Sequence, residues 1–480
     1  MTEKKEPSLL LSLLPVFLLI LLLASNVVLY GGDSSYGPNQ IALLLTAAFA
    51  GVLSLKLGYT WPELERSIVK SISSAMAAML ILLMIGSLSG TWLISGIVPA
   101  MIYYGLQILN PALFLFAACI VSAIVSLATG SSWSTAATVG IALVGIGKAM
   151  GIHDGVVAGA IISGAYFGDK MSPLSDTTNL APAMAGTDLF THIRYMTLTT
   201  GPSIIIALII FLVWGFTLDA PGEMGEVNKV QAAIQDKFNI NLSLFLVPAA
   251  VIFLIIKKMP ALPALLIGTL LGGIFALVFQ PQLVDSVSGI TDAPLKSAYA
   301  AVLQAMFTDV SVVTGNATVD ELLSSGGMYG MLSTVWLILT AMVFGGVMEG
   351  TGMLKRIARE IIKLANSTGS LVASTAATCF TFNVTASDQY IAIVVPGRMF
   401  SGTFRERGLA PENLSRTLED SGTVTSVLIP WNTCGAYQSS VLGVATFTYL
   451  PYCFFNILSP FMTILFAYLN IKIRRLNNKD

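Results

Sequence analysis

The stretch GDKMSPLSDTTN, residues 168–179, lies between two apolar runs and carries two aspartates, a lysine and a proline. Proline lacks a backbone N–H and disrupts a helix wherever it interrupts one. Ionisable side chains are also unusual inside a segment that is otherwise apolar enough to enter a membrane. The stretch therefore predicts a broken helix near 155–190, with polar groups gathered at the break.

The composition of the whole chain is that of a membrane protein. Of its 480 residues, 55% are hydrophobic and 11% are charged, and the mean hydropathy is +0.79. A soluble domain carries about a quarter charged residues. At about 20 residues per span, the length allows about ten to twelve spans. The net charge of −1 and the lack of a basic run argue against nucleic acid as a partner. We therefore expect an all-α polytopic membrane protein surrounded by lipid.

Both ends of the chain are predicted to be cytoplasmic. The apolar run near 8–30 is too long for the h-region of a signal peptide, so we interpret it as a first span that is retained. Lys4 and Lys5 precede it, and the chain ends in the basic tail IKIRRLNNKD. Positive residues mark the cytoplasmic side of a membrane protein.

Several apolar runs are too short to cross a bilayer alone, and they occur in pairs. Such pairs with polar tips predict re-entrant hairpins near 111–147 and 370–400, because irregular backbone is tolerated at membrane depth only where protein or water surrounds it. A second proline-containing stretch predicts another broken helix near 417–449. The acidic loop 217–241 is interpreted as an external linker.

The two halves of the chain, 1–216 and 242–480, resemble each other. Each half has a glycine motif at the end of a long apolar run (GSLSGT and GGVMEGT), then a hairpin and then a broken helix. No Lys or Arg follows the first glycine motif over 92–110, whereas four basic residues lie between 355 and 363 after the second. Equivalent elements therefore face opposite sides of the membrane. We predict two inverted-topology repeats, an architecture typical of secondary transporters.

Three aspartates at these interruptions are the candidate ion-binding groups. Asp169, Asp176 and Asp388 are ionisable residues inside a membrane protein, which makes them functional candidates. Alternatives remain for each: Asp169 could form a surface ion pair with Lys170, and Asp176 or Asp388 could cap the following helix. Asp420 is interpreted as a cytoplasmic helix-end charge.

The interruptions also supply the oxygen ligands that hard cations prefer. We place a tentative Na⁺ site at Asp176 and Asp388. Because burial disfavours a charged carboxylate, such a group can hold either a proton or a cation, which is sufficient for antiport. The further candidate ligands at the four interruptions are Ser131, Ser132, Ser175, Thr177, Asn179, Asn383, Thr385, Ser387, Asn432 and Thr433. The two histidines, His153 and His192, are interpreted as solvated loop residues.

The motif GAYFGDKMSPLSDTTNLAPAMAGTDLFTHIRYM, residues 164–196, resembles the signature region of the NhaC family of Na⁺/H⁺ antiporters. TGSSWSTAATVG (129–140) and SDQYIAIVVPGRMF (387–400) resemble the family too. The resemblance implies a homodimeric carrier of the bacterial inner membrane that exchanges Na⁺ for H⁺ by alternating access, with no cofactor. The residues that match the family's polar motif positions are Asp169, Ser175, Asp176, Thr177, Asn179 and Asp388.

Other functions stay open at this point. The family includes exchangers that couple protonated malate entry to Na⁺ and lactate exit, and helix N-termini with hydroxyls suit an organic anion as well. Trp133 or Trp431 could then line a larger pocket for an organic acid or an amino acid. A passive channel and an intramembrane serine hydrolase are weaker alternatives. The hydrolase is disfavoured because neither histidine lies on a convincing span, so we expect that the protein is not an enzyme.

Overall fold

The computed structural model describes residues 4–30, 34, 36–108, 110–217, 224–290, 293–315 and 317–476. These ranges are almost entirely helical. Their β-structure consists of one antiparallel pair of two-residue strands, β1 (Val310–Ser311) and β2 (Ser324–Ser325), and an isolated bridge between Leu409 and Arg475. The prediction of an all-α chain is confirmed.

Many of the helices are long and apolar enough to cross a membrane. Seven of those in the described ranges meet this test, and up to nine do if two bent helix pairs each count as one span. The chain is therefore a multi-pass membrane protein, and its described residues contain fewer such helices than the length of the chain allows. The seven are Leu9–Tyr30, Pro38–Lys56, Trp61–Ile94, Pro111–Thr129, Leu189–Thr217, Ala261–Phe279 and Gly327–Gly350.

The first half contains ten helices and one π-helical turn in its described residues. Proline or a capping side chain begins several of them; for example, the Asn110 side chain accepts a hydrogen bond from the backbone N–H of Ala112, satisfying a free donor at a helix start. The helices are α1 (Leu9–Tyr30), α2 (Pro38–Lys56), α3 (Trp61–Ile94), α4 (Ile97–Ile108), α5 (Pro111–Thr129), α6 (Ser132–Thr135), α7 (Ile141–Ala149), α8 (Asp154–Met171), α9 (Asp176–Ala185) and α10 (Leu189–Thr217), with the π-turn over Ala136–Gly140.

The middle of the chain begins with the predicted linker. Residues 218–223 of the linker lie outside the described residues, and a helix occupies most of the remainder. That helix is bent by 89° against the apolar helix that follows it. The helices of this region are α11 (Met224–Lys237), α12 (Leu246–Ile256), α13 (Ala261–Phe279), α14 (Pro281–Ser288), α15 (Pro294–Phe307), α16 (Ala317–Leu322) and α17 (Gly327–Gly330), with a 3-10 turn over Leu242–Phe245.

The remaining helices form the rest of the second half. A π-turn again interrupts one of them, over Glu419–Thr423, and the next helix begins after a break that contains Pro430. The helices are α18 (Leu332–Gly350), α19 (Met353–Ile362), α20 (Thr368–Thr385), α21 (Gln389–Glu406), α22 (Pro411–Leu418), α23 (Thr433–Leu442), α24 (Thr446–Tyr449) and α25 (Phe454–Tyr468), with 3-10 turns over Ser426–Leu428 and Leu450–Tyr452.

A similar order of elements recurs in part of each half. A long helix (α3 or α18) and a short one (α4 or α19) precede a helical hairpin (α5 to α7, or α20 and α21). A broken helix follows (α8 and α9, or α22 and α23), and an apolar helix ends the series (α10 or α25). This order agrees with a repeat; the opposite orientation of the two halves stays a prediction.

Close helix packing positions the first break. Helix α8 lies flush against α5 because it presents glycine there: a Cβ at Gly164 would lie 2.0 Å from the carbonyl oxygen of Cys119, and one at Gly168 would lie 2.3 Å from that of Ala123. Small residues let membrane helices approach this closely. The contact holds the C-terminal end of α8, and with it Asp169, next to the tip of the first hairpin.

Candidate functional site

A cavity of about 580 Å³ lies where all four predicted interruptions meet. Its walls come from both hairpin tips, both broken helices, α3 and the region between α12 and α13. A volume of this size falls in the range of small-molecule sites. The predicted site residues that line it are Ser131, Asp169, Ser175, Asp176, Thr177, Asn179, Asp388 and Thr433.

Asp169 joins the first broken helix to the tip of the first hairpin. Its Oδ2 accepts hydrogen bonds from the backbone N–H of Ser132 at 3.0 Å and from the Ser132 hydroxyl at 2.7 Å. The hydroxyl of Thr178 donates to the backbone carbonyls of Asp169 and Lys170 at the end of α8. Asp169 is therefore half-buried and held in place by the opposite element.

Gly130 makes this close approach feasible. It ends α5 in the left-handed conformation, with φ of 71°, which glycine adopts without steric cost. A Cβ at this position would also lie 2.7 Å from the carbonyl carbon of Leu174 and 2.9 Å from the backbone nitrogen of Ser175. The first tip can therefore touch the loop of the first broken helix.

Asp176 begins α9 but is not its cap. The cap is Ser175, whose hydroxyl accepts from the backbone N–H of Thr178 and lies 3.2 Å from that of Thr177. Asn179 closes the loop by donating to the carbonyls of Pro173 and Ser175. The capping alternative for Asp176 is therefore wrong, and its exposed carboxylate faces the cavity on the first turn of a helix, where the helix dipole favours negative charge.

Asp388 does cap its helix. Its Oδ1 accepts from the backbone N–H of Ile391 at 2.9 Å, and the residue is 3% exposed. The preceding residue, Ser387, has φ of 59°, an outlier for a residue with a side chain and of the kind that clusters at ligand sites. The capping alternative for Asp388 is therefore correct in part, since the residue also lines the cavity.

Five predicted ligands do not line the cavity, and most of them stabilise the breaks instead. The Asn432 side chain caps α23 and donates to both oxygens of Asn383 at 3.1 Å. Asn383 donates to the carbonyl of Gly422 at 2.7 Å. Thr385 donates to the carbonyl of Thr381 within its own helix. Buried amides need such hydrogen-bond partners. These side chains therefore bind groups of the protein rather than an ion. The residues outside the cavity are Ser132, Asn383, Thr385, Ser387 and Asn432.

An aromatic pair connects the two halves at the cavity. Trp133 of the first tip stacks on Tyr437 of α23, with ring centroids 3.8 Å apart and planes at 21°. The Tyr437 hydroxyl donates to the carbonyl of Trp133 at 2.9 Å. Both residues line the cavity, which therefore has an aromatic wall besides its polar one.

Sequence reasoning missed several charged or polar residues of the lining, among them Tyr390 and Lys258. Tyr390, on the first turn of α21, interacts electrostatically with Asp169, Asp176 and Asp388. Among the described residues of the lining, Lys258 is the one that carries a basic side chain. In the sequence, Lys258 could have been noticed as a basic residue at the end of an apolar run.

The three aspartates do not converge on one point. In the described part of the chain, no three Asp, Glu, His or Cys side chains form a cluster suited to a metal ion. A cation in this cavity would take one or two carboxylates and complete its shell with hydroxyl and carbonyl oxygens, which hard cations accept.

A second polar cluster lies behind the first broken helix, and it corrects three predictions. Lys170 pairs with Asp420 rather than with Asp169, and both side chains are fully buried. Asp420 is therefore not a helix-end charge. His192 is also buried, and its Nδ1 lies 2.8 Å from the Ser415 hydroxyl, whereas His153 is exposed as expected. These pairings join residues more than 200 positions apart, which no local pattern indicates.

Comparisons with known proteins agree with this architecture. The model of a family described as the Na⁺/H⁺ antiporter family matches residues 164–471. The chain is 37% identical to the Na⁺/H⁺ antiporter NhaC of Alkalihalophilus pseudofirmus, over 91% of this chain and 90% of that protein. It is 36% identical to the malate-2H⁺/Na⁺-lactate antiporter of Bacillus subtilis, over 90% and 89%. It is 38% identical to the arginine/ornithine antiporter ArcD of Halobacterium salinarum, over 98% and 94%.

Proposed function

This chain belongs to the Na⁺/H⁺ antiporter family, and from that premise we propose that it exchanges Na⁺ for H⁺ by alternating access. The membership confirms the resemblance found in the motifs and makes the protein a transporter. One observation carries the proposal: a single cavity collects carboxylates from the interruptions of both halves. Transporters with broken helices bind their substrates at such a meeting point.

The cargo ion binds among the cavity oxygens. Asp388 uses Oδ1 as a helix cap, which leaves its second oxygen for a cation. Asp176 does not cap its helix, and its carboxylate lines the same cavity. The hydroxyls of Ser175, Thr177 and Thr433 and the exposed carbonyls of the breaks complete the shell of Na⁺, in keeping with the oxygen preference of hard cations.

Exchange follows because Na⁺ and H⁺ are alternatives at a carboxylate. A cation neutralises the charge that desolvation disfavours, and a proton does the same. The loaded carrier then changes the side to which the cavity opens as the two repeats move. In this proposal the carrier is a homodimer of the bacterial inner membrane, with both termini in the cytoplasm.

Purified protein in sealed vesicles with a lumenal pH dye tests the proposal. Addition of Na⁺ to the outside should move protons in the wild type, and Asp388→Asn should abolish this movement, because an amide caps a helix but carries no charge for the ion. Asp188→Asn is the matched control, since Asp188 is an exposed cap that accepts from the backbone N–H of Thr191 outside the cavity. Full proton movement in the Asp388 variant would refute the role of this site.

The size of the cavity favours a second candidate function, the exchange of an organic acid or amino acid. A volume of about 580 Å³ exceeds the needs of a bare ion, and Lys258 with the stacked Trp133 would suit a carboxylate-bearing substrate. Two relatives are named for exchange of this type. In the same vesicles, proton movement that starts only after malate, lactate or arginine is added would establish this function instead.

A further inference from the structure

Buried polar atoms without partners concentrate in one region outside the cavity. Most of the buried side-chain N and O atoms that lack a hydrogen bond in the described chain lie on three elements that pack together: α10, α25 and α22 with its π-turn. We call the ionisable residues buried in this region, together with Lys170 of α8, which pairs with one of them, the inner cluster. Its members are Lys170, His192, Arg416, Glu419 and Asp420.

Neighbouring carboxylates of the inner cluster have opposite surroundings. Asp420 is fully satisfied: Lys170 pairs with its Oδ1, and the Thr199 hydroxyl donates to its Oδ2 at 2.8 Å. Glu419 is equally buried, yet neither of its oxygens accepts a hydrogen bond from any described residue. The Thr423 hydroxyl interacts with it but lies outside hydrogen-bonding geometry. Desolvating an unpaired carboxylate is costly, and a proton removes that cost.

Both carboxylates lie on a buried π-turn. Residues Glu419–Thr423 form a π-helical turn at the end of α22, and every residue of this turn is buried. Such turns shift the register of a helix and occur often at functional sites.

The inner cluster is linked to the cavity through the end of α8. Asp169 and Lys170 are consecutive, and they face opposite ways: Asp169 faces the cavity, whereas Lys170 reaches Asp420. Glu419 interacts electrostatically with Asp169 and Lys170 alike. A positive charge that arrives beside Asp169 therefore favours the anionic form of Glu419, because opposite charges stabilise each other across low dielectric.

We propose that Glu419 is a proton-binding group of the exchange, separate from the carboxylates of the cavity. A carboxylate oxygen of Glu419 takes up the proton while the cavity holds no cation. When Na⁺ binds beside Asp169, the proton leaves, and the Glu419 anion remains next to Lys170. This inference rests on the proposed Na⁺/H⁺ exchange and adds a place for the proton to it.

The ionisable residues around Glu419 lie on α8, on α10 and on α22 with its π-turn. Lys170, Asp169 and Asp420 act on it electrostatically, and His192 in turn interacts with Lys170. Arg416, one turn earlier on α22, stacks on the ring of Tyr195 with Cζ 4.5 Å from the centroid. Helices α20 and α25 contribute no Asp, Glu, Lys, Arg or His to the contact with the π-turn. The π-turn also contacts α21, whose Arg398, Arg405 and Glu406 are all exposed, and α9, whose one charged residue is Asp176.

The test separates proton movement from cation movement in vesicles that contain the full-length protein. Na⁺-driven proton movement is followed with a lumenal pH dye, and exchange of labelled Na⁺ for unlabelled Na⁺ is followed at saturating Na⁺ without a pH gradient. We expect Glu419→Gln to move fewer protons for each Na⁺ than the wild type, because the cavity carboxylates still exchange theirs, and to retain Na⁺/Na⁺ exchange. We also expect the pH dependence of its KM for Na⁺ to flatten, because the group that responds to the cation is gone. Glu412→Gln is the matched control, since Glu412 lies on the same helix and is paired with Arg474.

Each result decides the matter. Loss of both activities in a folded Glu419→Gln protein would overturn the inference, and so would an unchanged number of protons for each Na⁺ with an unchanged pH profile. If that variant does not fold, Glu419→Asp decides: the pH midpoint of proton movement should shift by about half a unit, as the two carboxyl types differ, and an identical profile would overturn the inference. Failure of the wild type to move protons would instead refute the proposed function.

Discussion

Breaking the buried ion pair between Lys170 and Asp420 should be strongly destabilising. Both side chains have no exposed surface, and in Lys170→Met the Asp420 carboxylate keeps only the Thr199 hydroxyl as a partner. Removing one member of a buried pair costs about 3–5 kcal/mol, because the other charge stays desolvated and uncompensated. Methionine preserves most of the side-chain volume, so little of this loss would come from a cavity.

The double variant Lys170→Met with Asp420→Leu isolates this effect. Replacing both charges by apolar groups of similar volume is often neutral or stabilising, so most of the lost free energy should return. The surface variant Lys363→Met is the control: Lys363 pairs with Glu360 at 2.8 Å but is 66% exposed, and such a pair contributes about 0–1 kcal/mol.

Equilibrium unfolding of the purified protein in mixed detergent micelles measures these free energies. The expected order of stability is wild type, then the Lys363 variant, then the double variant, with Lys170→Met lowest. The reasoning would be refuted if Lys170→Met were no less stable than the Lys363 control, or if the double variant were no more stable than Lys170→Met.

Two further predictions follow from local geometry. Gly130→Ala should lower both the unfolding temperature and Na⁺-driven proton movement more than Gly151→Ala does: both glycines have φ near 70°, but a Cβ at Gly130 meets Leu174 whereas one at Gly151 meets nothing within 4 Å. Thr314→Val should destabilise the fold more at neutral pH than in acid. The side chain and backbone of Thr314 donate to Asp320 at 2.6 Å and lower the pKa of that carboxyl, so this stabilisation is present above the unfolded pKa and lost as the pH falls through the lower, folded value. Thermal melts of both proteins at pH 7 and pH 3 check this: the stability gap should be smaller at pH 3, and a gap that did not narrow would contradict the prediction.

The sequence alone located the candidate site because its signals are local. A proline among hydroxyls, as at Pro173, breaks a helix whatever packs around it, and a glycine such as Gly130 marks a left-handed turn. The polar interruptions were therefore visible as departures from apolar runs. Membrane class follows from composition for the same reason, since every backbone group in lipid must be paired within helices.

The role of each polar side chain was not visible in this way. Asn383 and Asn432 were predicted as ion ligands, yet they bind each other and the backbone. Lys170 was considered as a partner of its neighbour Asp169, yet it pairs with Asp420, 250 positions away. A broken helix exposes oxygens and amides in all directions, so local sequence cannot distinguish those that face a cavity from those that tie two breaks together.

What this sequence determined by itself is therefore a helical membrane protein with four polar interruptions, because hydropathy and helix disruption act within a few residues. The tertiary structure decided which carboxylates share the cavity and which are paired behind it. The physical reason is that desolvation and charge pairing depend on the whole surroundings of a group. Asp420 and Glu419 are neighbours in sequence, but only packing gives one of them two partners and the other none among the described residues.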